Sequence, residues 1–199
     1  MTRVPAVAAV LLALVASLAG QARAADARPV AVVRVQALDQ AILIRLNETR
    51  AEHGLRPLVL SRALDDAAAS HSRSMLQNGF FAHESSDGSA FSVRIKRFYR
   101  PAGYASWSTG ENLIYRTGQL NADTAVKTWL ASPEHRRNML DPAWREVGIA
   151  SMHASSARGQ FGGEPTWVVT MDFGVRTGGK SVGKPMPTPT RALATKPTR

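Results

Sequence analysis

The sequence has 199 residues and no cysteine. The chain therefore has no disulfide to constrain its unfolded state, and core burial must hold its fold. About 150 residues lie between its two unusual ends, enough for the core of a single domain. A thiol nucleophile is excluded, and no G-x-S-x-G elbow provides a serine nucleophile.

Long hydrophobic runs are also missing, apart from one near the N-terminus. Arg3 precedes an apolar run over residues 4–18, and Ala22-Arg23-Ala24 follows it with the small-x-small pattern of a signal-peptidase site. The run is too short to cross a bilayer comfortably. We predict a cleaved signal peptide over residues 1–24, with an uncleaved anchor as the alternative. The mature protein is then exported, extracellular or periplasmic, and is not an integral membrane protein.

Acidic residues are absent from the C-terminal end. The net charge is +10, but residues 176–199 hold six basic residues and no acid, while residues 25–175 hold 17 basic and 15 acidic residues. A nearly neutral globular part argues against nucleic-acid binding. The composition of the end predicts a disordered basic tail, rich in proline and threonine, over residues 176–199. This tail is either a contact for anionic surfaces or a solvated linker.

Hydrophobic periodicity predicts helices first and strands later, which is an α+β pattern. Residues 25–35 are predicted as a linker and residues 104–110 as a polar loop. Glycine or proline closes most of the helical segments, as Gly79 does after the second one. The predicted helices cover 35–53, 62–78, 91–99, 123–130 and the stretch from 133 to the residue before Pro142. The predicted strands cover 147–152 and 166–173, joined by a long hairpin loop.

The most informative stretch runs from residue 110 to 140. Glu111 follows a glycine, which permits unusual backbone angles. His135 falls in the first turn of a helix begun by Ser132 and Pro133, where exposed backbone N–H groups disfavour a protonated imidazole. His83 ends an earlier segment. The spacing of His83, Glu111 and His135 alone leaves open whether they share a site or are separately solvated.

The order of several motifs resembles the CAP superfamily, whose module is also called the SCP domain. The motifs are Phe81-Ala82-His83, Gly110-Glu111-Asn112-Leu113, Trp129-Leu130-Ala131-Ser132, Pro133-Glu134-His135-Arg136-Arg137-Asn138-Met139-Leu140, Val147-Gly148-Ile149-Ala150 and Asp172-Phe173-Gly174. The resemblance covers residues 36–175. It implies a three-layer α-β-α sandwich with a mainly antiparallel central sheet and a cavity lined by His83, Glu111 and His135. We expect Asn112, Trp129 and Ser132 to support this cavity.

The chain departs from the family pattern at Ser132. Animal and plant members carry a second glutamate there, so the cavity of two histidines and two glutamates is reduced to three residues. Glu134 is close in sequence, but as the second residue of a helix it is expected to favour the helix dipole. The absence of cysteine also fits a bacterial-type member.

Two functions follow from the resemblance. The first is a secreted, non-catalytic binding module for a lipid, an envelope polymer or a host protein. Its cavity would hold zinc or another divalent cation, or Glu111 would simply accept hydrogen bonds from both histidines. The second is a metal-assisted hydrolase, a protease or cell-wall-processing enzyme, with Glu111 or Glu134 as general base.

Aromatic residues near Glu111 form a further hypothesis. Tyr104, Trp107 and Tyr115 either provide an apolar rim for a ligand or pack against the core. His71 lies on the apolar stripe of the second predicted helix, where a packed, hydrogen-bonded histidine is expected rather than a ligand.

Overall fold

The computed structural model describes residues 29–179. Within this range the chain forms five α-helices and five strands. The helices are α1 (Gln36–Glu52), α2 (Arg62–Asn78), α3 (Phe91–Phe98), α4 (Ala122–Ala131) and α5 (Pro133–Leu140). The strands are β1 (Val32–Arg34), β2 (Val59–Leu60), β3 (Ser106–Thr117), β4 (Glu146–Ala154) and β5 (Thr166–Thr177), with a 3-10 turn at Gly159–Phe161.

The helix boundaries follow the local signals in the sequence. Gly79 adopts a left-handed conformation with φ of 72°, and its N–H donates to the Met75 carbonyl at 2.9 Å, which closes α2. Asn121 caps α4 through its side chain, which accepts from the Thr124 N–H. Pro133 occupies the first turn of α5, as predicted.

The sheet is mainly antiparallel, with the strand order β1-β4-β5-β3. β3, β4 and β5 form its long antiparallel core, and the two-residue β2 pairs in parallel with β4. β3 is an edge strand of this arrangement. Helices of both layers contact β3: α3 from one layer, and α4 and α5 from the other.

Helices cover both faces of the sheet. α1, α4 and α5 pack on one face, where residues such as Ile149 and Met171 join them in the largest hydrophobic cluster. α2 packs on the other face against β4 and β5, with Leu113 and Val168 among its partners. The α+β class and the three-layer arrangement are thereby confirmed.

Close packing of α2 depends on one glycine. A Cβ atom on Gly148 of β4 would lie 2.1 Å from the carbonyl carbon of Leu64. The helix backbone therefore rests directly on this strand, and no residue with a side chain fits at this position without moving α2.

Three sequence-based boundaries need correction. Residues 104–110 are not a loop throughout, because β3 begins at Ser106 and pairs along its whole length with β5. The segment 25–35 is not only a linker: β1 pairs with β4, and Arg34 bonds Asp39 at 2.9 Å and Asp65 at 2.7 Å. These ion pairs fix a short strand that periodicity alone does not detect.

The third correction concerns the start of the tail. β5 continues through Arg176 and Thr177, so the ordered sheet extends beyond residue 175. The Arg176 guanidinium lies 3.8 Å from the centre of the Tyr99 ring and 3.2 Å from a Glu146 oxygen, which makes this cation part of the fold. The predicted signal peptide and the rest of the tail, from residue 180, lie outside the described residues.

Candidate functional site

Glu111 is placed by the alternation of β3. Successive residues of a strand point to opposite faces, so Glu111 and Leu113 share one face while Asn112 points to the other. Leu113 packs in the cluster of α2, which identifies the face of Glu111 as the one covered by α2 and α3. The Glu111 side chain has no solvent exposure, so its carboxylate must find its partners inside the protein.

Both carboxylate oxygens of Glu111 have partners. Oε1 accepts a hydrogen bond from His83 Nδ1 at 2.7 Å, and Oε2 accepts from Arg94 Nη2. Arg94 lies on α3, and its side chain is only 6% exposed. A second nitrogen of this guanidinium donates to the His83 carbonyl at 3.0 Å. Arg94 therefore holds both Glu111 and the backbone of the segment that carries His83.

His83 lies in the irregular segment between α2 and α3, and 46% of its side chain is exposed. Its hydrogen bond to Glu111 raises its pKa, an effect opposed by partial burial. The imidazole thus joins a fully buried carboxylate to solvent. It is the accessible end of the site.

His135 occupies the third position of α5, as predicted from the Ser132-Pro133 start. Burial, followed by the nearby charge of His83, lowers its pKa. Among the described residues, the bonds to the Glu111 carboxylate come from His83 and Arg94, and His135 is not a partner. The alternative in which Glu111 accepts hydrogen bonds from both histidines is therefore not the arrangement found in this structure.

Asp172 is a buried carboxyl that the sequence interpretation named as part of a motif but not as a residue of the site. It is the cross-strand partner of Glu111 between β3 and β5, and it has no solvent exposure. No donor group of residues 29–179 bonds either of its oxygens, and the Glu111 carboxylate lies within hydrogen-bonding reach of the Asp172 carboxyl. Burial, followed by the negative charge of Glu111, raises its pKa well above the ordinary value. Asp172 is therefore a neutral acid beside a charged one.

Asn112 links the site to α5. Its amide donates to the His135 carbonyl at 3.0 Å and its oxygen accepts from Asn138 at 3.0 Å. Asn138 also donates to the Glu111 carbonyl at 3.1 Å. These bonds fix the backbone of β3 against the helix that carries His135, which supports the expected role of Asn112.

Trp129 and Gly110 complete this support. The Trp129 indole is 1% exposed and donates to the Leu113 carbonyl at 2.9 Å, which ties α4 to β3. Gly110 is required for space and not for an unusual backbone angle: a Cβ there would lie 3.0 Å from the Trp144 ring. Ser132 begins α5, but its side chain makes no capping hydrogen bond among the described residues.

The three aromatic residues proposed as a rim do not form one group: Tyr104 and Trp107 both neighbour Arg176, whereas Tyr115 lies near the other end of β3. Trp107 donates its indole N–H to the Tyr99 carbonyl at 2.8 Å, and Tyr104 stacks at 4.6 Å from Arg176. Tyr115 is 40% exposed and packs edge-on against Phe81 at 4.7 Å. Trp107 and Tyr104 thus have packing roles, and only Tyr115 retains a large exposed surface.

Sequence reasoning missed Arg94 and Asp172. Arg94 is one of four basic residues between 94 and 100, and nothing in that run distinguishes the buried one from the exposed ones. Asp172 gave a clearer signal, since it is a lone carboxyl in an apolar strand with Val169, Met171 and Phe173.

His71 was predicted correctly: it is 1% exposed, and its Nε2 bonds the Ala82 carbonyl at 2.9 Å.

The donor set does not fit a divalent metal ion in this arrangement. Within residues 29–179 no group of three or more histidine, aspartate or glutamate side chains is placed to hold one. The carboxylate that a metal would need is already shared between an imidazole and a guanidinium. Arg94 provides the positive charge that Glu111 requires.

Comparison with known proteins decides the family. Residues 43–173 match the family model described as "CAP: Cysteine-rich secretory protein family". The chain belongs to the CAP family. None of the helices formed by residues 29–179 combines the length and apolar composition needed to span a bilayer.

Relatives of this CAP protein are found in bacteria. It is 30% identical over 123 residues to the uncharacterized protein YkwD of Bacillus subtilis, a match that covers 61% of this chain and 45% of YkwD. An extracellular SCP-domain protein from Bacillus anthracis shares its fold, with a TM-score of 0.53, 25% identity, and coverage of 69% of this chain and 40% of that one. This chain thus spans less than half the length of both proteins.

A third protein shares the fold over almost its whole length. An outer surface protein from Borrelia burgdorferi aligns with a TM-score of 0.59 at 18% identity, covering 74% of this chain and 99% of that one. At this identity the likeness concerns the fold alone. The same fold extends over nearly the whole of that solved chain.

Proposed function

We propose that this chain is an exported, non-catalytic CAP module that binds a ligand outside the cytoplasm. One observation carries the proposal: each carboxylate oxygen of Glu111 already accepts a hydrogen bond, and the side chain is fully buried. A general base needs a lone pair within reach of a substrate or a water. The Glu111 carboxylate has no solvent exposure and is held by a guanidinium and an imidazole, so neither reaches it in this arrangement.

The electrostatics of the site support the same conclusion. A zinc ion that activates water needs open coordination and a set of ligands free to bind it. Here a guanidinium occupies the position beside the carboxylate, and it would repel a second cation. Metal-assisted hydrolysis by this site is therefore the weaker hypothesis.

Export is supported by the sequence and by the relatives. Residues 1–24 have the pattern of a signal peptide, and two structural neighbours are named as an extracellular and an outer surface protein. A lipid, an envelope polymer and a host protein are the candidate ligand classes. The exposed edge of His83 is the part of the site that such a ligand can reach.

Hydrolysis assays test the proposal. The purified protein, Glu111→Gln and Glu134→Gln are incubated with peptidoglycan and with casein, with and without zinc, after thermal unfolding has shown that each variant is folded. Glu134 is an exposed residue of α5, and its variant tests the other candidate base. We expect all three proteins to show no turnover above a protein-free blank. Turnover by the wild type that disappears in folded Glu111→Gln or in folded Glu134→Gln contradicts the proposal and makes the substituted residue the catalytic base.

The binding half of the proposal has its own measurement. Sedimentation of the protein with isolated cell envelopes, with extracted lipids and with envelopes freed of protein separates the ligand classes. Co-sedimentation with at least one fraction is expected. If the protein sediments with none of these fractions at low or high salt, a host protein is the remaining ligand class. That class is tested by capture on the immobilised chain.

A further inference from the structure

A cavity of about 240 Å³ lies between α2, residues 85–87 and α3. Four serine residues and both arginines of α3, Arg94 and Arg97, line it. The function proposed above uses Arg94 only through its contact with Glu111 and gives this cavity no role. Its lining is mainly polar, which is unusual for a space that merely results from imperfect packing.

Two polar atoms of this lining have no partner. His71 is 1% exposed and Arg94 is 5% exposed, yet His71 Nδ1 and Arg94 Nε find no hydrogen-bond partner within residues 29–179. Buried polar atoms are normally satisfied, so each of these two requires an explanation. Both residues line the same cavity, so an occupant that donates and accepts, a water molecule or the hydroxyl of a ligand that displaces it, is the natural partner for them.

The two atoms need different hydrogen-bonding partners, because one accepts a hydrogen bond and the other donates one. His71 Nε2 bonds a carbonyl, that of Ala82, and must therefore donate, which leaves Nδ1 as a bare acceptor. Burial, with the charge of Arg94, lowers the pKa of His71 to about 4, so the ring is neutral at physiological pH. Arg94 Nε can only donate. The occupant must give one hydrogen bond and accept another.

A hydroxyl group does both, whereas a carboxylate or a fully ionised phosphate only accepts. Charge balance also argues against an anion. Arg94 is paired with Glu111, and Arg97 lies 3.8 Å from Asp87, so both cations near the cavity have acidic neighbours. The serine hydroxyls add further groups that donate and accept. The cavity therefore suits a neutral, hydroxyl-rich ligand.

Exposed groups at the same cavity suit a sugar in particular. Phe98 is 39% exposed and offers an aromatic surface for the apolar face of a sugar ring. The Asp87 and Arg97 side chains are 57% and 61% exposed and can bond neighbouring hydroxyls. The volume is below the roughly 300–1,000 Å³ of pockets for drug-sized ligands, so one ring fits and an extended chain does not.

We propose that this cavity is a saccharide subsite that takes one ring of a neutral glycan. The proposal goes beyond the function given above, because it names a ligand class for a cavity distinct from the Glu111 contacts. An envelope polymer would be bound through this ring, with the rest of the polymer outside the cavity.

Saturation-transfer NMR and calorimetry on the full chain test the proposal. The probes are glucose, galactose, mannose and N-acetylglucosamine with their tetrasaccharides, and inorganic phosphate as the anionic comparison. Ser70→Phe places a bulky ring at the cavity from an exposed position of α2, and Ser155→Phe is the matched control on the exposed β4–β5 loop. Arg97→Ala is paired with Lys96→Ala, its exposed neighbour outside the lining.

At least one neutral sugar is expected to bind with one-to-one stoichiometry. Ser70→Phe should abolish binding and Arg97→Ala should weaken it about tenfold, the value of one hydrogen bond to a charged group, with both controls unchanged. The proposal is overturned if no sugar binds, if sugar binding is indifferent to Ser70→Phe, or if phosphate alone binds in a Ser70→Phe-sensitive manner. None of these outcomes changes the expected result of the hydrolysis assays. Failure of the saccharide proposal is therefore distinguishable from failure of the proposed non-catalytic function.

Discussion

Glu111 and Asp172 face each other across the β3–β5 ladder, which places two carboxyl groups side by side in the buried interior. Their surroundings differ. Glu111 accepts hydrogen bonds from a guanidinium and an imidazole, whereas no donor group of residues 29–179 bonds Asp172, whose polar neighbour is the Glu111 carboxylate. Glu111 therefore carries the negative charge and Asp172 stays protonated, because two adjacent buried carboxylates would repel each other.

Matched carboxyl-to-amide substitutions test this division of charge. Asp172→Asn replaces a neutral acid by a neutral amide, and we expect a change in unfolding free energy within about 1 kcal/mol. Glu111→Gln leaves Arg94 buried without its counter-charge, which costs about 3–5 kcal/mol. Urea unfolding at pH 7 measures both. Equal losses, or a larger loss for Asp172→Asn, would show that the charge assignment is wrong.

The contact between Glu111 and Arg94 can also be broken by replacing the arginine. Arg94→Met removes the guanidinium and leaves the buried Glu111 carboxylate with His83 alone, for an expected loss of about 3–5 kcal/mol. Arg97→Met is the matched control on α3, since Arg97 is exposed and its ion pair with Asp87 is worth about 0–1 kcal/mol. If both variants unfold at the same urea concentration, Arg94 does not hold the site together.

His71 gives the protein a predictable sensitivity to acid. The pKa of His71 is lowered from 6.5 in the unfolded chain to about 4 in the folded protein. Between these two pH values the unfolded chain binds a proton at His71 and the folded protein does not. Stability is then lost as the pH falls from 6.5 to about 4, and this contribution is constant below that. The shift corresponds to about 3 kcal/mol.

His71→Gln isolates this contribution. The glutamine amide can still donate to the Ala82 carbonyl, but it does not titrate. The difference in unfolding free energy between wild type and variant should move in favour of the variant by about 3 kcal/mol from pH 7 to pH 4. A difference independent of pH would place His71 in a solvated environment, contrary to its 1% exposure.

Much of the fold could be predicted from the sequence because strong local signals mark it. The helix that carries His135 follows from Ser132 and Pro133, and the end of α2 follows from Gly79. The strands around Ile149 and Met171 follow from their β-branched and apolar composition. β3 was not predicted because the first half of this strand is polar, and because it pairs with β5, which is far away in the sequence.

The candidate site was only partly predictable for a related reason. Motif order identifies Glu111, but it does not say which cation neutralises it. That choice depends on the packing of α3, which buries Arg94 and leaves Arg97 exposed. The packing of α5 against β3 likewise decides that the Glu111 carboxylate bonds His83 and Arg94 and not His135.

The basic tail remains a prediction with a simple test. Removing residues 180–199 leaves β5 and Arg176 intact, so the unfolding temperature should not change. If the tail tethers the protein to anionic surfaces, the truncated chain should lose sedimentation with anionic vesicles at low salt, and wild-type sedimentation should fall as salt screens it. Equal sedimentation of both chains would make the tail a solvated linker.

The most direct test of the central claim is a calorimetric zinc titration of the purified protein beside the His83→Ala/His135→Ala double variant. Because Arg94 supplies the positive charge beside Glu111, we predict no one-site binding that depends on the two histidines. One-site binding that vanishes in a folded double variant would contradict it, and would show that Glu111 exchanges Arg94 for a metal ion.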